Sequence, residues 1–506
     1  MCLNNCILLQ NLPNLEILNL SNSKKLIECP NVSGSPNLKY VRLNGCLSLP
    51  EVDSSIFFLR KLESLIIDGC MSLKSISSNT CSPAPRELNA MNCINLQEFS
   101  VAFSSVDNLF LSLPELGANK FPSSILHTKN LEYFLYPISD SLVDLSENFA
   151  NCIWLANSLK GERDSSITLH KVLPSPAFLS VKHLILFGDD VPFLSEIPDN
   201  ISLLSSLKSL KLVNIAIRSL PETIIYLPQL ESLDVFNCKM LQSIPVLSQF
   251  IPYFIVWNCE SLEKVLHSTS EPFYKPNRGF LLLNCIKLDS LSYRTVLEDA
   301  TFWIEVGARI NSENEDMSLY YDNGIIWYFL PAMPGIEYWF HHPSTQVSVT
   351  LELPPNLLGF AYYLVLSPGH MGYGVDFGCK CYLDNSSGER IYIKSFTRSN
   401  FYHKSWDFIN ASIHMMSHHV VLWYDPRSCK QIMEAVEETK FINDVSINYN
   451  PKLTFRFFID ETLCNEVMIV ECGFHWMYPF EASAIRNRTE DIKSNDQEYT
   501  VPPTNK

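Results

Sequence analysis

Apolar residues recur along the first hundred positions at a spacing that fits neither a long helix nor an isolated strand. Leu15-x-x-Leu18-x-Leu20 is followed by Leu38-x-x-Val41-x-Leu43, Leu62-x-x-Leu65-x-Ile67 and Pro85-x-x-Leu88-x-Ala90, with starts 23, 24 and 23 residues apart. The last three phrases close on Cys46, Cys70 and Cys93. The pattern returns at Val181/Leu184/Leu186, Leu207/Leu210/Leu212, Leu230/Leu233/Val235 and Ile251/Phe254/Val256, and a final match stands at Phe280/Leu282/Cys285.

A fixed period of 20–29 residues carrying L-x-x-L-x-L is the mark of a leucine-rich repeat. Each repeat offers one short strand whose apolar face it cannot bury alone, and stacking the repeats joins those faces into one core. Residues 1–290 are therefore predicted to form an α/β leucine-rich-repeat solenoid, a horseshoe with a parallel sheet on its concave side. Leu12-Pro13-Asn14-Leu15 already reads as mid-repeat sequence, so a preceding piece is expected upstream. Between 101 and 136 the phrase is ragged, with Val106/Leu109/Leu111 and Leu131/Phe134/Tyr136 its best matches. Residues 140–172 break the period, and 146–157 has near-helical apolar spacing, which predicts an irregular insertion. Ile197-Pro198 and Leu220-Pro221 place a proline where the chain turns to the convex side, because its fixed φ starts that turn.

Beyond residue 320 the texture changes to short alternating runs: 347–353, 359–366, 379–383, 390–394, 419–424, 453–458 and 467–472. Seven such runs, divided by Pro, Gly, Asn and Ser, predict an antiparallel β-sandwich over 320–480. A helical pattern interrupts it from Asp425 to Lys440. Residues 291–319 read as a connector and 481–506 as a polar disordered tail.

Composition narrows the function. Hydrophobic residues make up 46% of the 506, with 8 Trp, 21 Tyr and 30 Phe, which argues for packed cores. Net charge is −16 and no Lys/Arg block stands out, so a nucleic-acid backbone is not an expected partner. The longest apolar stretch, Leu357 to Leu366, is about half of what a membrane helix needs. The opening residues lack a basic region and a long apolar core, so no signal peptide is expected. Sixteen cysteines then point to reduced thiols and a cytoplasmic or nuclear setting.

Leu330-Pro331-Ala332-Met333-Pro334-Gly335-Ile336-Glu337-Tyr338-Trp339-Phe340 carries a resemblance. With Ser348–Asn356, Leu358–Ala361, His419–Tyr424, Glu471–His475 and the junction Asn284–Leu288, it is similar to the jelly-roll/Ig-like domain that follows the repeats in plant TIR-type intracellular immune receptors. The resemblance extends to about residue 480. It implies recognition of a protein ligand, a pathogen effector, by the repeats and the C-terminal domain together, with self-association of receptor chains as a further contact. It also implies a TIR domain that cleaves NAD and a nucleotide-binding module. Within these residues there is neither a TIR-like segment nor a G-x-x-x-x-G-K-[ST] loop, so those activities are not carried over. A regulatory truncated receptor that binds a full-length one is the alternative. A hydrolase lacks both Gly-x-Ser-x-Gly and His-Glu-x-x-His.

Candidate site residues follow from strand alternation. The position after the last apolar residue is Phe187, Val213, Phe236 and Trp257 in successive repeats, which predicts an exposed apolar column on the concave face; its alternative is an internal contact with the following domain or a loop. Tyr253 joins it, and His370 and Tyr373, in the glycine-rich run 369–374 read as a mobile loop, extend the predicted partner surface. Asn19, Arg42, Ile66 and Asn89 form a second, mixed column expected to be solvated. The repeat cysteines are read as turn-closing residues. Cys379-x-Cys381 is read as structural, with thiols expected on opposite faces. His414, His418 and His419 are read as core or surface histidines. No catalytic residue, cofactor or metal is expected.

Overall fold

The computed structural model describes residues 12–78, 85–96, 98–101, the strands at 108–111, 133–136 and 152–156, 170–187 with short breaks, 195–245, 251–265, 278–313, 325–333, 340–371, 377–384, 390–397, 413–442, 451–459 and 466–479. Two compact units divide the chain. The first comprises 1–299 with 328–331 and 403–419; the second comprises 300–327, 332–402 and 420–506.

The first unit is a solenoid. Its repeat strands are β1 (Ile17–Asn19), β2 (Tyr40–Arg42), β3 (Ser64–Ile66), β4 (Glu87–Ala90), β5 (Asn108–Leu111), β6 (Tyr133–Tyr136), β7 (Cys152–Ala156), β8 (His183–Phe187), β9 (Ser209–Val213), β10 (Ser232–Phe236), β11 (Tyr253–Trp257) and β12 (Arg278–Leu283). Each pairs in parallel with the next, in chain order. The register aligns the periodic leucines: Leu18, Val41, Leu65 and Leu88 form one line, and Leu184, Leu210, Leu233, Phe254 and Phe280 another. All are buried. A fully buried aliphatic side chain contributes about 1.5–3 kcal/mol, so a line of them holds the stack together without long helices.

The α part of the expected α/β character is small in the repeats. Their return segments include the 3-10 helices Ser54–Phe58, Asp199–Leu203 and Glu222–Tyr226 and the four-residue helix Pro176–Leu179. Pro198 and Pro221 are the N-caps of two of them, with extended φ and ψ, as the turn reading anticipates. The helical reading of 146–157 is corrected at Cys152–Ala156, which is the strand β7, paired on both sides. Ladder hydrogen bonds from two neighbours outweigh the local 3.6-residue spacing there. The segment read as a connector from 291 opens with a 24-residue helix, Ser290–Glu313.

After β1–β4 and β9–β12, where the turns are described, the chain must reverse, and a left-handed residue does it. Asn22, Asn92, Asn214, Asn237, Asn258 and Asn284 have φ between 53° and 59°, while Gly45 and Gly69 take φ 70° and 68° at the equivalent point. Asn is among the few residues with a side chain that adopt this region readily. Where a cysteine follows, as at Cys46, Cys70 and Cys93, its thiol turns into the stack, toward a carbonyl of an earlier strand segment. Cys46 donates to Leu20 O, Cys70 to Leu43 O and Cys93 to Ile67 O, each at 3.2 Å.

Within the second unit, β13 (His341–Ser344), β14 (Ser348–Glu352), β15 (Gly359–Leu366), β16 (Phe377–Asp384), β17 (Arg390–Thr397), β18 (Lys452–Ile459) and β19 (Ile469–Met477) form antiparallel pairs. The order is β13-β19-β15 in one group and β14-β18-β16-β17 in the other. Aromatic rings meet between the groups: Phe455 lies 4.7 Å from Phe474 and 5.9 Å from Phe360, and Tyr362 lies 6.3 Å from Phe457. A helix spans Pro426–Ile442, close to its sequence expectation. Cys379 and Cys381 are both fully buried, with exposed Lys380 between them. The expectation of opposite faces is wrong, because alternate residues of a strand share a face.

Candidate partner-binding face

The concave face is built from alternate strand positions. Register places Phe187 beside Val213, Val213 beside Phe236 and Phe236 beside Trp257, so the aromatic column predicted from spacing is one line across β8–β11. Its expected exposure is corrected. Phe236 is 5% and Trp257 8% exposed. Their neighbours on the same face, Lys211, Asp234, Ile255, Leu281 and Leu283, are buried as well. Strand alternation gives the direction of a side chain but not what stands opposite it. Compact unit 1 draws in 328–331 and 403–419, segments far away in sequence.

Polar chemistry on that buried face is ordered. The Lys211 ammonium sits 4.7 Å from the centre of the Phe236 ring, within reach of its negative face. Ser232 donates a 2.9 Å hydrogen bond to Asp234. Phe236 and Trp257 meet edge to face at 6.1 Å, and the Trp257 indole N–H is buried with no hydrogen-bond partner among the described residues. Tyr253 is half-buried. The backbone of Phe187 lies in β8, and its side chain falls outside the described residues.

The opposite end of the sheet differs. Ile17 is 56% exposed, Asn19 and Arg42 are exposed, and Tyr40, Ser64, Ile66, Glu87 and Asn89 are half-buried. The second column, Asn19, Arg42, Ile66 and Asn89, runs in register across β1–β4. Contacts between successive repeats order the side chains beside this column: Lys39 to Glu16 at 3.2 Å, Tyr40 OH to Glu63 at 2.7 Å and Ser64 OH to Glu87 at 2.8 Å. The Tyr40 hydroxyl is raised above its ordinary pKa by the Glu63 carboxylate that accepts its proton.

His370 is exposed on a short strand, Gly369–Met371, so the start of the run read as a mobile loop is corrected. His370 N–H donates to the Glu466 carboxylate at 3.2 Å and its carbonyl accepts from Glu466 N–H at 3.0 Å, which satisfies its backbone. Tyr373 lies outside the described residues.

Catalytic and metal chemistry find little support in this geometry. Among the described residues no group of three or more His, Cys, Asp or Glu is placed to hold a metal ion. Burial pushes the thiols of Cys93 and Cys285 up to about 12, so both stay protonated and unreactive. An open hollow beside the 3-10 helix Ser54–Phe58 is lined by Pro36, Asn37, Phe58 and Lys61 and presents one strongly exposed aromatic, Phe58.

Sequence reasoning missed the turn asparagines, which ladder to one another: Asn258 donates to Asn237 at 3.0 Å and Asn284 to Asn258 at 2.7 Å. Their signal was present, as the asparagine before Cys93, Cys238, Cys259 and Cys285. No helix among the described residues is long and apolar enough to cross a membrane.

No protein-family model matches the chain. It is 28% identical over 477 residues to the disease resistance-like protein DSC1 of Arabidopsis thaliana, covering 88% of this chain and 35% of that protein. It is 27% identical to the TMV resistance protein N of Nicotiana glutinosa, covering 70% and 35%, and 25% identical to the disease resistance protein RPS4B of Arabidopsis thaliana, covering 66% and 28%. The chain thus spans about a third of the length of the first two relatives. A solved Leptospira interrogans LRR protein aligns over 57% of this chain at 13% identity with a TM-score of 0.19, too low to argue from. The homologues of this chain are plant TIR-NBS-LRR disease resistance proteins.

Proposed function

We propose that this chain is the protein-sensing portion of a plant immune receptor and that its partner is a pathogen effector. One observation supports our choice of the contact surface. The concave face over β1–β4 is exposed or half-buried, while on the same face over β9–β12 Lys211, Asp234, Phe236, Ile255, Trp257, Leu281 and Leu283 are buried and Ser209, Val213 and Tyr253 half-buried. The site therefore moves from Phe236 and Trp257 to Ile17, Tyr40, Arg42 and Ile66. Apolar Ile17 and Ile66 flank a cation and a phenol, the mixture of anchors found where proteins meet. His370 remains a candidate on the second unit, together with Tyr373. The aromatic packing between the two antiparallel groups supports reading that unit as the jelly-roll/Ig-like module implied by the resemblance. No reaction is assigned to the chain: the named homologues are resistance proteins, and none is named as an enzyme.

The test is proximity labelling by the full chain in infected leaf tissue, compared with a Tyr40→Ala/Arg42→Glu/Ile66→Arg variant. Labelling of a pathogen-encoded protein by the parent and its loss in the variant supports the proposal. Equal labelling by both sinks the site. Labelling of host receptor chains alone favours the regulatory alternative.

A further inference from the structure

The repeats bond to one another by a rule that ends at Asn284. Each turn residue donates its backbone N–H to a carbonyl of the following repeat: Asn214 to Phe236 O at 2.9 Å, Asn237 to Trp257 O at 2.8 Å and Asn258 to Leu283 O at 2.9 Å. Two asparagine side chains also accept from the next, Asn237 from Asn258 and Asn258 from Asn284. Asn284 has no following repeat strand, yet it is fully buried and fully bonded. Its backbone N–H donates to His419 Nε2 at 3.1 Å. Its side-chain oxygen accepts from Met416 N–H at 2.9 Å, and its side-chain nitrogen donates to His414 O at 2.7 Å.

We propose that residues 413–419 are the C-terminal cap of the solenoid, substituting atom for atom for an absent repeat, and that the neutral imidazole of His419 is the latch that acid opens. The Met416 amide takes the place of the next asparagine's carboxamide, and His419 Nε2 takes the place of the next carbonyl. An array needs such a shield at its end. Here it comes from some 130 residues along the chain.

A carbonyl cannot be switched, but an imidazole can. To accept from Asn284 the ring must carry its proton on Nδ1, which donates to Ser417 O at 2.9 Å. Protonation at Nε2 would turn the acceptor into a donor aimed at another donor. Burial already holds His419 down at about 4, with the Ser417 carbonyl opposing and the charge of His418 adding to the depression. Asn284 from the turn and Phe329, its ring 5.5 Å away, face it without charge, so His418 is the titratable group acting on it.

Hydrogen exchange on the full chain tests this. In the parent, protection of the Asn284 and Met416 amides, read relative to Asn237 and Asn258 in the same sample, is expected to fall tenfold or more between pH 7 and pH 4. His419→Gln keeps an uncharged acceptor that does not titrate, and its relative protection is expected to hold at acid pH. Asn284→Gly tolerates the left-handed backbone but removes the side-chain bonds; it is expected to deprotect Met416 at pH 7 while Asn237 and Asn258 stay protected. The proposal is overturned if the parent shows no relative loss at acid pH, if all four amides lose protection together, if His419→Gln titrates like the parent, or if Met416 stays protected in Asn284→Gly.

Discussion

Phe236 illustrates how much one side chain decides. It is edge-on to Trp257 and under the Lys211 ammonium, inside a face that spacing alone presented as open. Phe236→Ala should lower stability by about 3 kcal/mol, the usual range for emptying a buried aromatic site, as measured by denaturant unfolding. Phe236→Arg should destabilise further, since it buries an unpaired charge. His419 gives a pH dependence. Its folded pKa lies below the ordinary 6.5, at about 4, so between those values the unfolded chain binds more protons. The contribution, roughly 3 kcal/mol for such a shift, is complete above pH 6.5 and lost as pH falls toward 4. Unfolding titrations of the parent against His419→Gln should diverge in that window. A third residue-scale expectation concerns Arg278. It is buried between Asp299, 3.1 Å away, and Tyr328, whose hydroxyl it donates to at 3.0 Å. Burial would lower its pKa, but these two partners raise it. Asp299→Ala should cost about 3–5 kcal/mol by stranding that charge.

Among the elements, the repeat strands were legible because their signal is periodic and redundant. Leu38, Val41 and Leu43 fall where spacing places them, and all three are fully buried. Where only one local pattern spoke, it misled. Cys152–Ala156 has helical spacing, yet its neighbours on both sides are strands, and the ladder wins. Helix Ser290–Glu313 was hidden because its apolar residues follow directly on the last repeat phrase. Strand Ile326–Pro331, buried at every position, lacks the alternation that exposes one face, so period-2 reading passes over it. The candidate site was half readable: spacing gave the aromatic column, while its burial is set by the fold around it and not by any local pattern. An element-scale check follows. Leu210→Ala and Leu233→Ala, on paired central strands, should each cost about 2–5 kcal/mol. Their double variant should depart from additivity, because the two side chains are direct neighbours.

At the scale of the molecule, the accessible concave face and the net charge of −16 set what association should look like. Binding of a basic protein should weaken with added salt, since exposed charges are screened over about 10 Å at 0.1 M. The purified chain is expected to turn over neither ATP nor NAD above a heat-killed control. The asparagine ladder carries a different consequence, one for how such an array changes length. The turn amides of Asn22, Gly45, Gly69, Asn214, Asn237 and Asn258 each find a carbonyl in the next copy, and the thiols of Cys46, Cys70 and Cys93 reach back to a carbonyl of an earlier one. Loss or gain of a complete unit, from one turn asparagine to the next, restores each of these partners. Loss of a few residues within a unit restores none. Receptor genes carrying such arrays can therefore shift their partner surface in whole-unit steps, by unequal exchange between copies, while the intermediate lengths are removed by misfolding.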